Sequence, residues 1–238
     1  MIRLAILLIL LAVPAAAQEI TLTMPEGGSF TTRTVQLLAL VTLLSLVPGL
    51  AVMITCFPFV VTVLSILRQA IGLQAAPPNM LIITLALFLT WFVMDPVLTE
   101  AWTDGIAPFT EGRMPLEEAF LRALDPFRRF MAARLDGDTF ATLAALRPGM
   151  VDAVAAPEAP LSLLVPSFLL SEIERAFQIG FLVFLPFLII DLVVAAILMS
   201  MGMMMVPPAV VALPFKLAFF VVADGWSLIA AALVRSYG

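Results

Sequence analysis

The sequence has no histidine and a single cysteine, and only 12% of its 238 residues are charged. Without histidine, the chain lacks the side chain most often used as a general base near neutral pH and the commonest metal ligand. The lone Cys56 excludes an internal disulfide and a paired-cysteine metal site. A Walker-type glycine loop and a serine–histidine–acid set are also absent. We therefore expect neither an enzyme nor a bound metal or cofactor.

The residues that are present are mostly apolar. Hydrophobic residues make up 63% of the chain, and its mean hydropathy is +1.13. Soluble domains have roughly 45–50% apolar and 25% charged residues. This composition predicts an all-α, multi-span membrane protein with long kinked helical hairpins and a small helical periplasmic domain, because helices satisfy their own backbone in lipid. The net charge of -5 argues against a nucleic-acid partner.

Residues 1–17 have the three parts of a secretory signal peptide. Arg3 supplies the positive start, residues 4–13 are apolar, and Pro14 precedes three alanines. An uncleaved first span is the weaker alternative, because ten apolar residues reach only half of the ~20 needed to cross a bilayer. Cleavage after Ala17 would leave Gln18 outside the cytoplasm.

Residues 18–99 are predicted to form a polar lead-in and a first helical hairpin. No charge occurs between residues 35 and 67, and Pro48 and Pro58 divide this run. The breakers at 77–79 predict a cytoplasmic loop. A second span over 80–94 is expected to end at Asp95 and Pro96, because proline restricts the residue before it.

Residues 100–165 are much more polar and predict a water-exposed periplasmic domain. Pro115 opens an amphipathic helix on which Glu118 and Arg122 face each other one turn apart. Pro126 is expected to end that helix, and a second helix would carry Arg128, Arg129 and Arg134 on a solvated face. A domain of about sixty residues has only marginal stability alone, so we expect it to pack against copies of itself.

Residues 166–238 predict a second hairpin whose turn is rich in methionine. Gly202, Pro207 and Pro208 break the helix between an arm over 176–206 and a last span over 209–234. The turn itself carries Met203, Met204 and Met205. A cluster of methionines is most often ordinary core filler, but three consecutive ones at a helix break cannot all face one core.

Three charges near this hairpin are candidate functional residues. Folding about the turn brings Asp191 and Lys216 to the same height, where they could pair within a chain or between neighbouring copies. The alternative is that each lies at a wet interface. Glu172 precedes the long hairpin and could cap its first turn, where a carboxylate favours the positive end of the helix dipole.

Many residue types recur at fixed spacings in both hairpins and together resemble the FliP family, the P subunit of the flagellar type III secretion export gate. The matching segments are residues 64–72, 77–79, 85–90, 166–168, 171–172, 176–181, 186–193, 202–208, 213–217 and 224–226.

The resemblance implies a position in the bacterial inner membrane, within the flagellar basal body. Copies of the chain would form a pentamer-like ring with the Q and R subunits, next to the flagellar B and A export-apparatus proteins. Unfolded export substrates would pass down the centre, and Met203, Met204 and Met205 would form a gasket in the pore. Glu172, Asp191 and Lys216 would be subunit contacts. The resemblance also implies a helical spiral raised largely out of the bilayer.

Three other functions remain open on the sequence. The virulence injectisome contains an equivalent subunit, although the signal peptide favours the flagellar branch. A proton- or ion-conducting channel would also explain Asp191 and Lys216, but the sequence has no inverted repeat. The helices could also be a structural platform whose pore never conducts.

Overall fold

The described part of the protein is helical throughout. A computed structural model describes residues 30–72, 77–147, 156–203 and 205–237, and no strand occurs in these ranges. The predicted all-α class is confirmed, whereas the predicted signal peptide lies outside the described residues. The chain divides into two compact units, residues 1–45 and residues 46–238.

The first two helices are separated by a short break. Helix α1 covers Phe30–Met53 and helix α2 covers Phe57–Ile71. Pro58 lies at the start of α2, where its missing N–H would have had no helical partner. At the other end, Gly72 has a φ of 87° and donates its N–H to the Gln69 carbonyl. Because the break leaves α2 with 15 residues, it is too short to cross a bilayer on its own.

Helix α3 covers Asn79–Ala101 and continues through a π-helical turn, Trp102–Ile106, into the short helix α4, Ala107–Thr110. The prediction that this span ends at Asp95 and Pro96 is wrong, because Pro96 lies inside α3. The proline removes one backbone hydrogen bond, to the carbonyl of Phe92. Phe92 and Pro96 are both exposed, so the ring meets no packed neighbour there.

Two amphipathic helices follow. Helix α5, Leu116–Ala133, starts after Pro115 as predicted, and Arg122 pairs with Glu118 at 2.7 Å. The predicted break at Pro126 is wrong: α5 is continuous there, and Pro126 is buried where packing holds the helix together. Helix α6 covers Gly137–Ala145. The carboxylate of Asp136 accepts the N–H of Thr139 at 2.8 Å, and this hydrogen bond lowers the pKa of Asp136.

The longest helix is α7, Leu161–Ser200, which follows a single 3₁₀ turn at Ala156–Glu158. Its 40 residues correspond to roughly 60 Å, about twice the thickness of the hydrocarbon core. Helix α7 both begins and ends earlier than the predicted arm over 176–206. The predicted last span is also divided: α8, Pro208–Val222, and α9, Gly225–Arg235, meet at a 61° bend.

The core of the second unit forms where α2 packs along α3 and α7. Phe59, Val63 and Leu67 are buried on one face of α2. A Cβ built on Gly180 of α7 would lie 2.4 Å from Cδ1 and 3.3 Å from Cβ of Ile66, so a larger residue there would push the Ile66 side chain aside. The outer surface stays apolar, with Phe88, Trp91 and Phe181 more than half exposed. Such a surface belongs in lipid or against other subunits.

Within the described residues, two helical segments are long and apolar enough to cross a membrane. They are Asn79–Thr110 and Leu161–Ser200, and the bent pair α8–α9 would make a third. The sequence predicted four spans. The remaining predicted span, the run over 35–67, is divided into α1 and α2 by the break at residues 54–56.

Candidate functional site

The first candidate site is an ion pair inside the second hairpin. Nζ of Lys216 on α8 donates to Oδ2 of Asp191 on α7 at 2.6 Å, and to the backbone carbonyl of Ala70 at 3.1 Å. The lysine is buried, with 7% of its side chain exposed, whereas the Asp191 side chain is 33% exposed. The structure thus brings the two predicted residues together within one chain. It also joins them to the end of α2, because Lys216 satisfies a terminal carbonyl of that helix.

The second candidate site surrounds the carboxylate of Glu172, which is completely buried. Nε of Arg134 donates to Oε1 of Glu172 at 2.9 Å, and Arg175 lies 3.5 Å from the same oxygen. The hydroxyl of Tyr237 donates to Oε2. Because charged and polar donors contact both oxygens, the buried negative charge is compensated.

Aromatic rings enclose this second site. The guanidinium of Arg134 lies 4.0 Å from the centroid of the Tyr237 ring, a cation–π distance. That ring also stacks on Phe130 at 5.8 Å and meets the edge of Phe59 at 5.5 Å. Arg134 additionally donates to the Ser236 carbonyl at 2.7 Å. One cluster therefore joins α2, α5, α7 and the residues that follow α9.

The environment of Tyr237 shifts its ionisation. Burial is the largest cause, and the negative charge and hydrogen bond of Glu172 act in the same direction. All three raise the pKa of Tyr237, because each disfavours a phenolate next to a buried carboxylate. The hydroxyl therefore remains a hydrogen-bond donor over the whole physiological range.

Two interpretations of this region need correction. Glu172 does not cap a first turn, since α7 begins at Leu161, well before it. Arg134 does not belong to a solvated face, because only 14% of its side chain is exposed. The physical reason is the same in both cases: the sequence did not reveal that α7 begins before the apolar run and passes alongside the end of α5. A subunit contact through Glu172 stays a prediction.

The third candidate site is the turn between α7 and α8. Helix α7 ends at Ser200 and α8 begins at Pro208, so the chain breaks at the predicted Gly202, Pro207 and Pro208. Gly202 has a φ of 78°, a conformation that favours glycine. Met205 is 97% exposed and Met203 is 38% exposed. Met204 lies outside the described residues.

Sequence reasoning identified both acids but missed most of their partners. Arg134 is 38 residues away from Glu172, and Tyr237 is 65 residues away. No periodic pattern connects positions so far apart, although Tyr237 is the only tyrosine of the chain. In the described residues, no group of three or more His, Cys, Asp or Glu side chains could hold a metal ion.

Long apolar helices, an apolar exterior and charges that are paired inside the helix bundle define an all-α membrane protein. The model of the FliP family matches residues 40–233, and the chain belongs to this family.

Several curated relatives agree with this assignment. The chain is 47% identical to the flagellar biosynthetic protein FliP of Caulobacter vibrioides, over 99% of this chain and 91% of the relative. It is 45% identical to the protein of that name from Pectobacterium carotovorum subsp. carotovorum, over 92% of this chain and 84% of the relative. It is 43% identical to that of Bacillus subtilis, over 90% and 95%.

Proposed function

We propose that this chain is a core subunit of the flagellar type III protein export gate. With copies of itself and the Q and R subunits, it forms a pore in the inner membrane for unfolded export substrates. The B and A export-apparatus proteins of the flagellar basal body are neighbours of this gate. The region that contains α5 and α6 faces the periplasm. Family membership and the flagellar names of the relatives support this proposal.

The observation that carries the pore is the exposed methionine turn. Met201, Met203 and Met205 are 65%, 38% and 97% exposed. Exposed apolar side chains at a break between two long helices are unfavourable in water. They become favourable where the same turns of several copies meet and cover one another. Methionine is flexible and polarizable, so a ring of such turns closes against ions and deforms around a passing chain.

The turn is tested by replacing Met203, Met204 and Met205 with alanine. A gate predicts normal assembly of the complex together with increased ion leakage through the membrane. Replacing Met53 and Met80, which are exposed on other helices, with alanine is the matched control and should cause no leak. A structural platform predicts no leak and unimpaired export, and that outcome would overturn the pore proposal.

An ion channel formed by this protein alone is the weaker alternative. Its expected conducting residues, Asp191 and Lys216, neutralise each other at 2.6 Å. Recording from the purified protein separates the two functions. A selective, saturable current from the chain alone would support the channel, whereas a current that needs the assembled complex supports the gate.

A further inference from the structure

Asp95 is an acidic side chain on the outer face of an apolar helix. It lies inside α3, within the segment Asn79–Thr110 that is apolar enough to cross a membrane. Thr90 and Met94 point into the core from this helix, whereas Phe88, Phe92 and Asp95 are exposed along one stripe at i, i+4 and i+7. Asp95 has no hydrogen bond or ion pair with any residue that the structure describes.

Arg235 is the basic counterpart of Asp95. It ends α9, where Leu228, Ala232 and Arg235 are exposed along a second stripe with the same i, i+4 and i+7 spacing. Arg235 has no partner within the described residues. From residue 68 to residue 216, every basic side chain that the structure describes has an oxygen partner.

The two unpartnered charges lie near the Tyr237 ring along the bundle axis. On one side, the thiol of Cys56 contacts the carbonyl of Thr90, and Phe59, one turn further along α2, meets the ring of Tyr237 at 5.5 Å. Thr90 and Tyr237 therefore lie within about two helical turns of each other along the bundle.

A second set of contacts relates the Tyr237 ring to the later part of α3. Phe130 stacks on Tyr237 at 5.8 Å, and its neighbour Arg129 pairs with Glu100 of α3 at 2.5 Å. Asp95 lies midway between Thr90 and Glu100, about 7.5 Å along the helix from each. Arg235 is two residues before Tyr237, so both charges lie near the Tyr237 ring along the bundle axis, within about two helical turns.

The two helices also run in the same direction. Helix α3 begins beside Arg68, near the end of α2, and rises to the level of Cys56. Helix α8 passes the same end of α2 at Lys216, and α9 continues to the level of Tyr237. When α3 and α9 are placed side by side in this direction, Asp95 meets Arg235, Phe92 meets Ala232 and Phe88 meets Leu228.

We propose that α3 of one copy of this chain packs in parallel on α9 of the next copy, with Asp95 of the first paired to Arg235 of the second. The contact is head-to-tail, because the two stripes differ and lie on different helices, and such contacts generate rings or spirals. An ionised Asp95 left in lipid would cost at least ~2.5 kcal/mol on insertion scales, whereas Arg235 of a second copy compensates it. This inference rests on the proposed function and specifies its subunit contact.

Cysteine cross-linking of the full-length chain in membranes tests the contact. The variant that carries both Asp95→Cys and Arg235→Cys should form dimers and higher multimers on oxidation, while each single variant should not form the ladder. Cys56 is completely buried and can stay in place. The control combines Asp104→Cys with Arg235→Cys, because Asp104 is exposed in the π-helical turn, outside the stripe. A ladder as strong in the control, or no ladder in the test pair, would overturn the contact.

A charge exchange provides a second readout. Asp95→Arg or Arg235→Asp alone should lower the fraction of assembled complex about tenfold, and the variant with both changes should return to within about twofold of the parent. If the double variant assembles no better than the singles, lipid or a different subunit covers the face and the inference fails. The pore proposal fails separately, through the methionine variant, which leaves both charges unchanged.

Discussion

Arg134 and Glu172 form an ion pair at 2.9 Å, with the carboxylate completely buried and 14% of the arginine side chain exposed. The pair connects the end of α5, in the polar segment, to the interior of the longest helix. A buried ion pair is weak evidence for stability, but removing one partner leaves an uncompensated charge. The region predicted to be a separate extramembrane domain is therefore held against the helices of its own chain.

The single tyrosine gives a direct measurement of this cluster. Because burial and Glu172 raise the pKa of Tyr237, the folded protein should show no tyrosinate absorbance near pH 10, where a free tyrosine titrates. The unfolded protein should titrate normally. A phenol whose pKa is raised by folding adds stability that is complete below the unfolded pKa and is lost as the pH rises above it. A normal ultraviolet titration of the folded protein would contradict this arrangement.

Tyr237→Phe tests the same hydrogen bond at neutral pH. The change removes one donor from a buried carboxylate, so we expect the free energy of unfolding to fall by about 1–3 kcal/mol. Combining it with Glu172→Gln supplies a control, because the uncharged amide no longer requires that donor as strongly. Chemical unfolding of the detergent-extracted protein measures both effects, and equal losses from Tyr237→Phe in the two backgrounds would exclude the coupling.

The ion pair in the hairpin should respond asymmetrically to the removal of its two members. Lys216→Met leaves Asp191 without its cation, and Oδ1 of Asp191 already has no hydrogen-bond partner among the residues that the structure describes. Asp191→Asn leaves the ammonium of Lys216 with the Ala70 carbonyl and an amide oxygen. We therefore expect the lysine variant to lose more stability, with a coupling of about 1–2 kcal/mol, reduced by the partial exposure of Asp191. A double-mutant cycle in thermal unfolding measures this coupling, and additive effects would count against it.

The π-helical turn packs closely on α5 because Gly105 has no side chain. A Cβ at Gly105 would lie 2.6 Å from the backbone nitrogen of Ala123 and 2.7 Å from the carbonyl of Ala119. Backbone atoms of a packed helix cannot move cheaply, so Gly105→Ala should destabilise the protein by about 1–3 kcal/mol. Gly137→Ala is the control, since nothing lies within 4 Å of its added Cβ. If the two variants show the same melting temperature, the close packing is wrong.

The sequence predicted the elements of this fold better than their ends. Prolines were the main source of error: Pro96 and Pro126 lie inside helices that they were expected to end. Their ring clashes cost local hydrogen bonds, and packing elsewhere along α3 and α5 offsets that cost. At Pro207 and Pro208 the break occurred as expected, because two adjacent prolines and a glycine act together there.

The sequence alone determined the all-α membrane class, the hairpin turn and the common height of Asp191 and Lys216, because hydropathy, helix breakers and helical rise are local properties. Only the tertiary structure decided that Lys216 also contacts α2 and that Arg134 and Tyr237 surround Glu172. It also left Asp95 and Arg235 exposed and without partners among the described residues. These relations join residues far apart in sequence, and they depend on which helix faces pack together, which no local pattern encodes.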